Sequence, residues 1–277
     1  MAVPLSEVGR RGKINLTFAP QSGKTIIRDV YYEIPFKITR ILHSHPSDIA
    51  HLILMQCAPG LIGGDQVECT IHVRSGARVL ITSQAATKVH PSCGKVAIQN
   101  TKIRVDAGGE LRLHYDPVIP FSGARLRQVT SIDLEPGARL SYWESLMAGR
   151  IGRGEAWQFD EVSSETCLRM NGRLLYADRF RLRPASVSPA SDWMMGRATY
   201  LATGLRFDES DQEFCLRLHD LLPQAGVDNP AAGLTAVRVA LSDGPEFYRY
   251  GKAFASLADS PTHQIFNGRG GAPCSTN

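Results

Sequence analysis

The chain has 277 residues, of which 43% are hydrophobic and 21% are charged, and its formal net charge is +4. These values are typical of a globular protein and exclude wholesale disorder, and the scattered basic residues are too few for a nucleic-acid-binding surface. The first residues lack the apolar segment of a signal peptide, and no stretch approaches the ~18 apolar residues of a membrane span. The composition therefore predicts a cytoplasmic protein with neither a nucleic acid nor a membrane as partner.

A glycine-rich loop, APGLIGGDQ at 58–66, follows the apolar run Leu52 to Met55. The loop has neither the Lys-Ser/Thr of a P-loop nor the G-x-G-x-x-G spacing. The residues after Asp65 have the pattern of a strand, so there is no helix N-terminus to bind a phosphate. We interpret the loop as a structural turn between two strands, with Gly63 and Gly64 at positive φ.

Between residues 66 and 183 apolar residues alternate with polar ones, which predicts successive half-buried strands. Three similar segments lie on this alternation: VRSGARVLIT (73–82), VDAGGELRLH (105–114) and LEPGARLSYW (134–143). Their central glycines, Gly76, Gly108 and Gly137, recur about every 30 residues, as in stacked repeat proteins.

We interpret each segment as strand, tight hairpin turn and strand, with the glycine at positive φ. The expected fold is mainly β, an elongated stack of antiparallel strands with a few α-helices in the C-terminal third. Ordinary hairpins in a sandwich or barrel are the alternative.

The pattern changes after residue 184. Helical spacing of apolar residues predicts one helix over 211–223 and a second over 245–257, with a strand over 235–241 between them. Residues 259–277 are polar and rich in glycine, and we expect a disordered tail. Residues 1–258 then form a single domain.

Catalytic motifs are absent from the sequence. There is no G-x-S-x-G elbow, and no cysteine or serine has an evident histidine partner, whereas acid/base chemistry by paired carboxylates stays open because acidic residues are plentiful. The six cysteines form no C-x-x-C pair, which predicts reduced thiols. Two short motifs, His43-Ser-His45 and His90-Pro-Ser-Cys93, suit nickel, copper or zinc. Each offers two ligands where a stable site needs three or four, and histidines in surface turns are the alternative.

Two acidic residues occupy positions where the alternation predicts buried side chains. Glu144 shares a face with Leu140 and Tyr142, and Asp178 falls on the apolar face of 174–182. An unpaired carboxylate in an apolar core costs several kcal/mol. Two explanations stay open. One is a hydrated interior passage lined by acids, and the other is a structural salt bridge with Arg150, Arg153 or Arg179.

Five segments in series are similar to one protein family. They are PGLIGGD (59–65), TSQAATKVH (82–90), DPVIPFSGA (116–124), WESLMAGRIGRGE (143–155) and LLYADRFRL (174–182). On these segments the chain resembles urease accessory proteins of the UreD/UreH family over about residues 10–185, with weaker similarity through 233–241.

This resemblance implies a non-enzymatic urease maturation factor with a β-helix-like fold. The expected partners are a UreF-like accessory protein, a UreG-like GTPase and apo-urease, and a 2:2 or dimeric complex with UreF is left open. No cofactor is expected to be bound permanently; nickel is expected in transit through a water-filled tunnel. Matched by motif, the tunnel acids are Asp65, Glu144 and Asp178, and His90 and Cys93 are candidates for a place where the metal pauses.

Two other functions stay open. A static metal-binding protein would use His43, His45, His90 and Cys93. A β-helix enzyme acting on polysaccharide would use paired acids in an exposed groove.

Overall fold

A computed structural model describes residues 9–44, 49–91, 93–211 and 213–259. These residues form eighteen strands and two α-helices. The strands are β1 (Arg11–Gln21), β2 (Lys24–Tyr32), β3 (Phe36–Ile38), β4 (Leu42–Ser44), β5 (Ile49–Gln56), β6 (Gln66–Val73), β7 (Arg78–Ser83), β8 (Thr87–Val89), β9 (Ala97–Val105), β10 (Glu110–His114), β11 (Val118–Pro120), β12 (Arg125–Leu134), β13 (Arg139–Met147), β14 (Glu161–Met170), β15 (Arg173–Leu182), β16 (Tyr200–Phe207), β17 (Gly226–Ala231) and β18 (Leu234–Leu241).

The helices are α1 (Phe214–Leu221) and α2 (Gly244–Asp259). Within the described part of the chain, neither is long and apolar enough to span a lipid bilayer. The expected disordered tail lies outside the described residues from position 260 onwards.

The strands form two facing sheets. The first has seven strands in the order β15-β14-β12-β9-β6-β1-β2, and the second has β17-β18-β16-β13-β10-β7-β5-β3 as its main path. The three repeats contribute β6, β9 and β12 to the first sheet and β7, β10 and β13 to the second. Successive copies therefore stack on one another, which confirms a mainly β fold with a β-helix-like arrangement.

The direction of the stacked strands differs from the expectation. β6, β9, β12 and β14 pair in parallel, as do β5, β7, β10 and β13, because each repeat returns to the first sheet in the same direction. Antiparallel pairs occur where the chain begins and ends the stack, for example between β14 and β15 and between β13 and β16. The expectation of stacked antiparallel strands is therefore wrong for the repeats themselves.

The repeat glycines have the expected backbone conformation but a different role. Gly76, Gly108 and Gly137 have φ values of 74°, 71° and 76°. The strands on either side of each turn lie in different sheets, so each turn carries the chain across the interior. The hairpin interpretation is wrong because both strands pair with the next repeat instead of with each other.

The core lies between the sheets and consists of side chains stacked repeat upon repeat. Ile71, Ile103, Ile132 and Leu168 are paired in register along the first sheet and are at most 2% exposed. Fully burying one such side chain contributes about 1.5–3 kcal/mol. The apolar residues at every second position of the sequence therefore form rows, or ladders, of aliphatic side chains that run from one repeat to the next.

The two helices cover the outer face of the second sheet. Phe214 of α1 and Phe247, Tyr250 and Phe254 of α2 pack with Trp143 in a second apolar cluster. The predicted helix over 211–223 is shorter than expected, whereas α2 and β18 match the predicted helix and strand closely. Asp211 stays outside α1, where its carboxylate accepts a hydrogen bond from Arg217 at 2.6 Å.

His114 lies beneath α2. Its ring centroid is 6.1 Å from that of Phe254, and its Nε2 is 2.9 Å from the hydroxyl oxygen of Ser141. Burial, together with the positive charges of Arg112 and Arg206, lowers the pKa of His114 to about 4. The imidazole is therefore neutral in the folded protein at physiological pH.

Candidate functional site

A cavity of about 160 Å³ lies between the two sheets, towards the strand ends farthest from the repeat glycines. This volume is large enough to hold several water molecules. The cavity reaches the protein surface at the loops around Pro59 and Gln84, both of which are exposed. The cavity is therefore bordered by exposed residues at this end.

The wall of the cavity that the first sheet forms is largely polar, because the inward-facing rows of side chains change from aliphatic to polar along the strands. Two residues before the isoleucine ladder, the same inward face carries Thr101, Thr130 and Thr166, which are paired in register and at most 6% exposed. The next inward step towards the mouth carries Gln99 and Gln128. Hydroxyl and amide groups thus replace aliphatic groups where the cavity opens.

Glu144 lies on β13, opposite the threonine ladder, and lines the cavity. Tyr142 donates a hydrogen bond to its Oε2 at 2.6 Å, and Thr166 donates one to its Oε1 at 2.9 Å. Burial raises the pKa of Glu144, and the nearby Asp178 carboxylate acts in the same direction, while the two hydroxyl donors oppose the rise. The carboxyl group is therefore held in place by neutral donors, and a cation in the cavity would favour its ionised form.

Asp178 lies on β15, the edge strand of the first sheet, and is paired in register with Thr166. Its carboxylate forms a salt bridge with Arg238 of β18. In the second sheet Arg238 is paired with Thr203, and Thr203 with Glu144. The structure therefore brings Glu144 and Asp178 into one polar layer that crosses the interior.

The salt-bridge partners suggested by the sequence are wrong. Arg150 pairs with Glu155, and Arg179 pairs with Glu165. Arg179 occupies an outward position of β15, whereas Arg150 lies in the loop after β13 and Arg153 is exposed. Asp178 does have an arginine partner, but it comes from β18, which the sequence does not place beside β15.

Asp65 lies in the glycine-rich loop and is not among the described residues that line the cavity. It is 4% exposed, and its carboxylate accepts hydrogen bonds from the backbone N–H of Arg10 at 2.8 Å and of Ile62 at 3.0 Å. These bonds tie the loop to the start of β1. The contacts of Asp65 are those of a residue that stabilises a turn.

The turn itself is closed by a hydrogen bond from the N–H of Asp65 to the carbonyl oxygen of Ile62 at 2.9 Å, with Gly63 and Gly64 between them. Gly64 has a φ of 94°, whereas Gly63 does not take positive φ. The expectation for Gly63 is wrong because a turn of this kind needs positive φ only at its second central residue. The other strained glycine of the loop is Gly60, with a φ of 145°.

The histidine and cysteine motifs are not assembled into a metal site in the described residues, where no group of three or more His, Cys, Asp or Glu side chains could hold an ion. His90 Nε2 lies 3.1 Å from the carbonyl oxygen of Pro59, and the His90 ring packs edge-on against Phe121. Cys93 and His43 are exposed, and His45 lies outside the described residues. His90 therefore supports the loop at the mouth of the cavity.

Two functional candidates were missed in the sequence. Asp116 lines the cavity; it accepts a hydrogen bond from the Ser83 hydroxyl at 2.9 Å, and its own N–H donates to the Ser83 oxygen at 2.8 Å. Its position directly after the alternation of β10, at the start of DPVIPFSGA, was the available signal. The second is Arg238, a charged residue in the middle of the otherwise apolar strand LTAVRVAL.

The fold and the cavity define a β-solenoid-like protein with an internal cavity that contains acidic side chains. Comparison with known families narrows this class: the model described as "UreD urease accessory protein" matches residues 10–261. The chain therefore belongs to the UreD family of urease accessory proteins.

Individual relatives agree with this assignment. The chain is 34% identical to the urease accessory protein UreD of Anaeromyxobacter sp. (strain Fw109-5), over 87% of this chain and 80% of the relative. It is 36% identical to UreD 1 of Methylorubrum populi, over 72% and 69% of the two chains. It is 28% identical to UreH of Helicobacter hepaticus, over 68% and 74%.

Proposed function

We propose that this urease accessory protein is a non-enzymatic maturation scaffold that conducts nickel(II) through its polar interior towards apo-urease. The observation that carries the proposal is the polar layer in which Glu144 and Asp178 lie between a cavity and the edge of the first sheet. The layer joins a solvent-accessible cavity to a partly exposed carboxylate, as a passage requires.

The chemistry of the layer suits transport better than storage. Separated carboxylates, hydroxyls and water bind a divalent ion, but they lack the closed cage of histidine and thiolate ligands that would retain it. Asp116 and Glu144 line the cavity together with the hydroxyl groups of Thr101 and Thr130. Asp178 lies outside the cavity in the same layer as Glu144. Each acid compensates part of the ion's charge where the ion loses hydration.

The place of Asp65 on this path stays a prediction from the family resemblance. Its contacts with Arg10 and Ile62 support a structural role in the loop. His90 and Cys93 stay candidates for a pause site near the mouth of the cavity, since His90 contacts the Pro59 carbonyl there.

The partners are proposed from membership of the UreD family. They are a UreF-like accessory protein, a UreG-like GTPase that delivers nickel, and apo-urease as the recipient, in the cytoplasm. A polysaccharide-active enzyme is not supported, because Glu144 is enclosed between the sheets and is not in an exposed groove.

The test is urease activation with the full set of accessory proteins co-expressed. The Glu144→Gln, Asp178→Asn double variant should leave co-purification of the complex intact and lower the nickel content of urease. Asp160→Asn, at an exposed carboxylate that pairs with Arg125, is the matched control and should load urease normally. Full nickel loading by the double variant would contradict the proposed passage.

A further inference from the structure

Arg238 occupies a position that the proposed nickel path does not explain. On β18, Val237 and Val239 pack in the apolar cluster beneath the helices, whereas Ala236 packs against the core between the sheets. Arg238 shares the inward side with Ala236 because side chains alternate along a strand. A cation is therefore directed at the interior from a strand whose neighbouring residues are apolar.

The salt bridge between Arg238 and Asp178 joins the two sheets at one edge. β15 is the last strand of the first sheet, and β17 and β18 end the second sheet on the same side, where β15 and β17 are in contact. The hydroxyl of Tyr176 also interacts with Arg238. The pair thus links the two sheets at the end of the polar layer that contains Glu144.

The position of the pair relative to the cavity is equally informative. Glu144, Thr203 and Phe180 line the cavity, whereas Asp178 and Arg238 are not among its described lining residues. The Asp178 side chain is 18% exposed and that of Arg238 is 37% exposed. The pair therefore lies between the inner carboxyl group of Glu144 and the solvent.

We propose that Arg238 is a tethered counter-ion that occupies the Asp178 carboxylate between metal passages and is displaced by nickel(II). This inference rests on the proposed function and names the residue that controls the outer end of the passage. The guanidinium neutralises Asp178 when the passage is empty. A divalent ion brings the greater charge to the same carboxylate, and the long, partly exposed arginine side chain can move its head group into solvent.

The consequence is that the path is not permanently anionic. With the salt bridge formed, the outer part of the layer carries one positive and one negative charge, so monovalent cations gain little by entering. Because the pair is partly exposed, the salt bridge is weak enough to exchange. Arg238 thereby favours entry of a multivalent cation and promotes its release when the guanidinium returns.

The first experiment measures Ni²⁺ affinity calorimetrically on the purified full chain, or on its complex with accessory partners if the chain requires them. Arg238→Gln should bind Ni²⁺ about tenfold more tightly, the effect expected from removing one adjacent positive charge. Arg238→Lys keeps the charge and should stay near the wild-type affinity. Arg249→Gln, at an exposed arginine that pairs with Glu246, is the control.

Adding Asp178→Asn to the Arg238→Gln variant should abolish the gain in affinity. An unchanged affinity in Arg238→Gln, or a gain that persists without Asp178, would overturn the counter-ion role. A measurement on the wild type avoids dependence on variants that do not fold. Ni²⁺ should increase phenylglyoxal labelling of Arg238 relative to that of Arg249, as measured by peptide mass spectrometry. Equal labelling of Arg238 with and without the ion would also overturn the counter-ion role.

These results are separable from the test of the proposed function. If Arg238→Gln binds Ni²⁺ more tightly while urease loads normally in the Glu144→Gln, Asp178→Asn variant, the passage is refuted and the counter-ion role stands. If loading fails in that double variant but the affinity is unaffected by Arg238→Gln, the passage stands and the counter-ion role is refuted.

Discussion

The buried histidine beneath α2 makes the stability of the fold depend on pH in a window that can be calculated. His114 has a pKa near 6.5 in an unfolded chain and about 4 in the folded protein, because its site is desolvated and lies near Arg112 and Arg206. Between these pH values the unfolded chain binds the proton and the folded protein does not. The free energy of unfolding therefore falls as the pH decreases from about 6.5 to about 4.

The magnitude follows from the two pKa values. Protonation of this one group lowers the free energy of unfolding by about 2 kcal/mol at pH 5 and about 3 kcal/mol below pH 4. In the His114→Gln variant this contribution is absent, while the amide can still donate a hydrogen bond to Ser141. Other groups with shifted pKa values, such as Asp106 and Glu110, affect both proteins equally and cancel in the difference.

The assay is urea denaturation followed by tryptophan fluorescence at pH 7.5, 6, 5 and 4.5. Wild type and variant should differ by a constant amount above pH 7, and the difference should then change by about 2 kcal/mol by pH 5 in favour of the variant. His219→Gln, at an exposed histidine of α1, is the control and should follow the wild type. Parallel stability profiles for wild type and His114→Gln between pH 7.5 and 5 would refute the assigned environment.

Three further predictions concern the loop and the cavity. A Cβ atom at Gly60 would lie 2.4 Å from the carbonyl oxygen of Lys88. Gly60→Ala should therefore lower the free energy of unfolding, measured by urea denaturation, by about 2 kcal/mol or more. Gly152→Ala is the control and should change it little, because nothing lies within 4 Å of a Cβ atom there. Burial raises the pKa of Glu144, so this one group contributes a loss of stability as the pH rises above about 4.5, opposite in sign to the contribution of His114. Glu144→Gln should remove the Glu144 contribution, and an identical pH slope in wild type and variant would argue against burial of the carboxyl. Asp65→Asn replaces one of two acceptor oxygens in a buried side chain and should cost about 1–3 kcal/mol in the same assay, because the N–H of Arg10 or Ile62 loses its acceptor and Arg10 loses its salt-bridge partner. The exposed neighbour variant Glu68→Gln should be neutral.

Local patterns in the sequence predicted the elements and the inward direction of one site residue. Alternation alone identifies β6, β10 and β13, because a strand that buries one face must place apolar residues at every second position. The same rule correctly directs Glu144 to the interior. The repeat glycines indicate a stack because the same turn conformation recurs in each copy.

The partners of those residues could not be read in the same way. Asp178 meets Arg238 across 60 positions of sequence, and the two belong to strands in different sheets. Asp65 resembles the other motif acids in sequence, yet its carboxylate is occupied by backbone N–H groups of Arg10 and Ile62. Contacts between residues so far apart in the sequence depend on the order of strands in the sheets, and a single sequence does not reveal that order.

The sequence by itself determined the periodicity of the strands, the glycine turns, the two helices and membership of a family of urease accessory proteins. These are local properties, set by alternation, backbone freedom and motifs. The tertiary structure decided that the repeats pair in parallel, that a polar layer replaces the aliphatic ladder near the cavity, and that Arg238 covers Asp178. Those features follow from which strands lie side by side, because only register between distant segments brings Thr166, Glu144 and Asp178 into one layer.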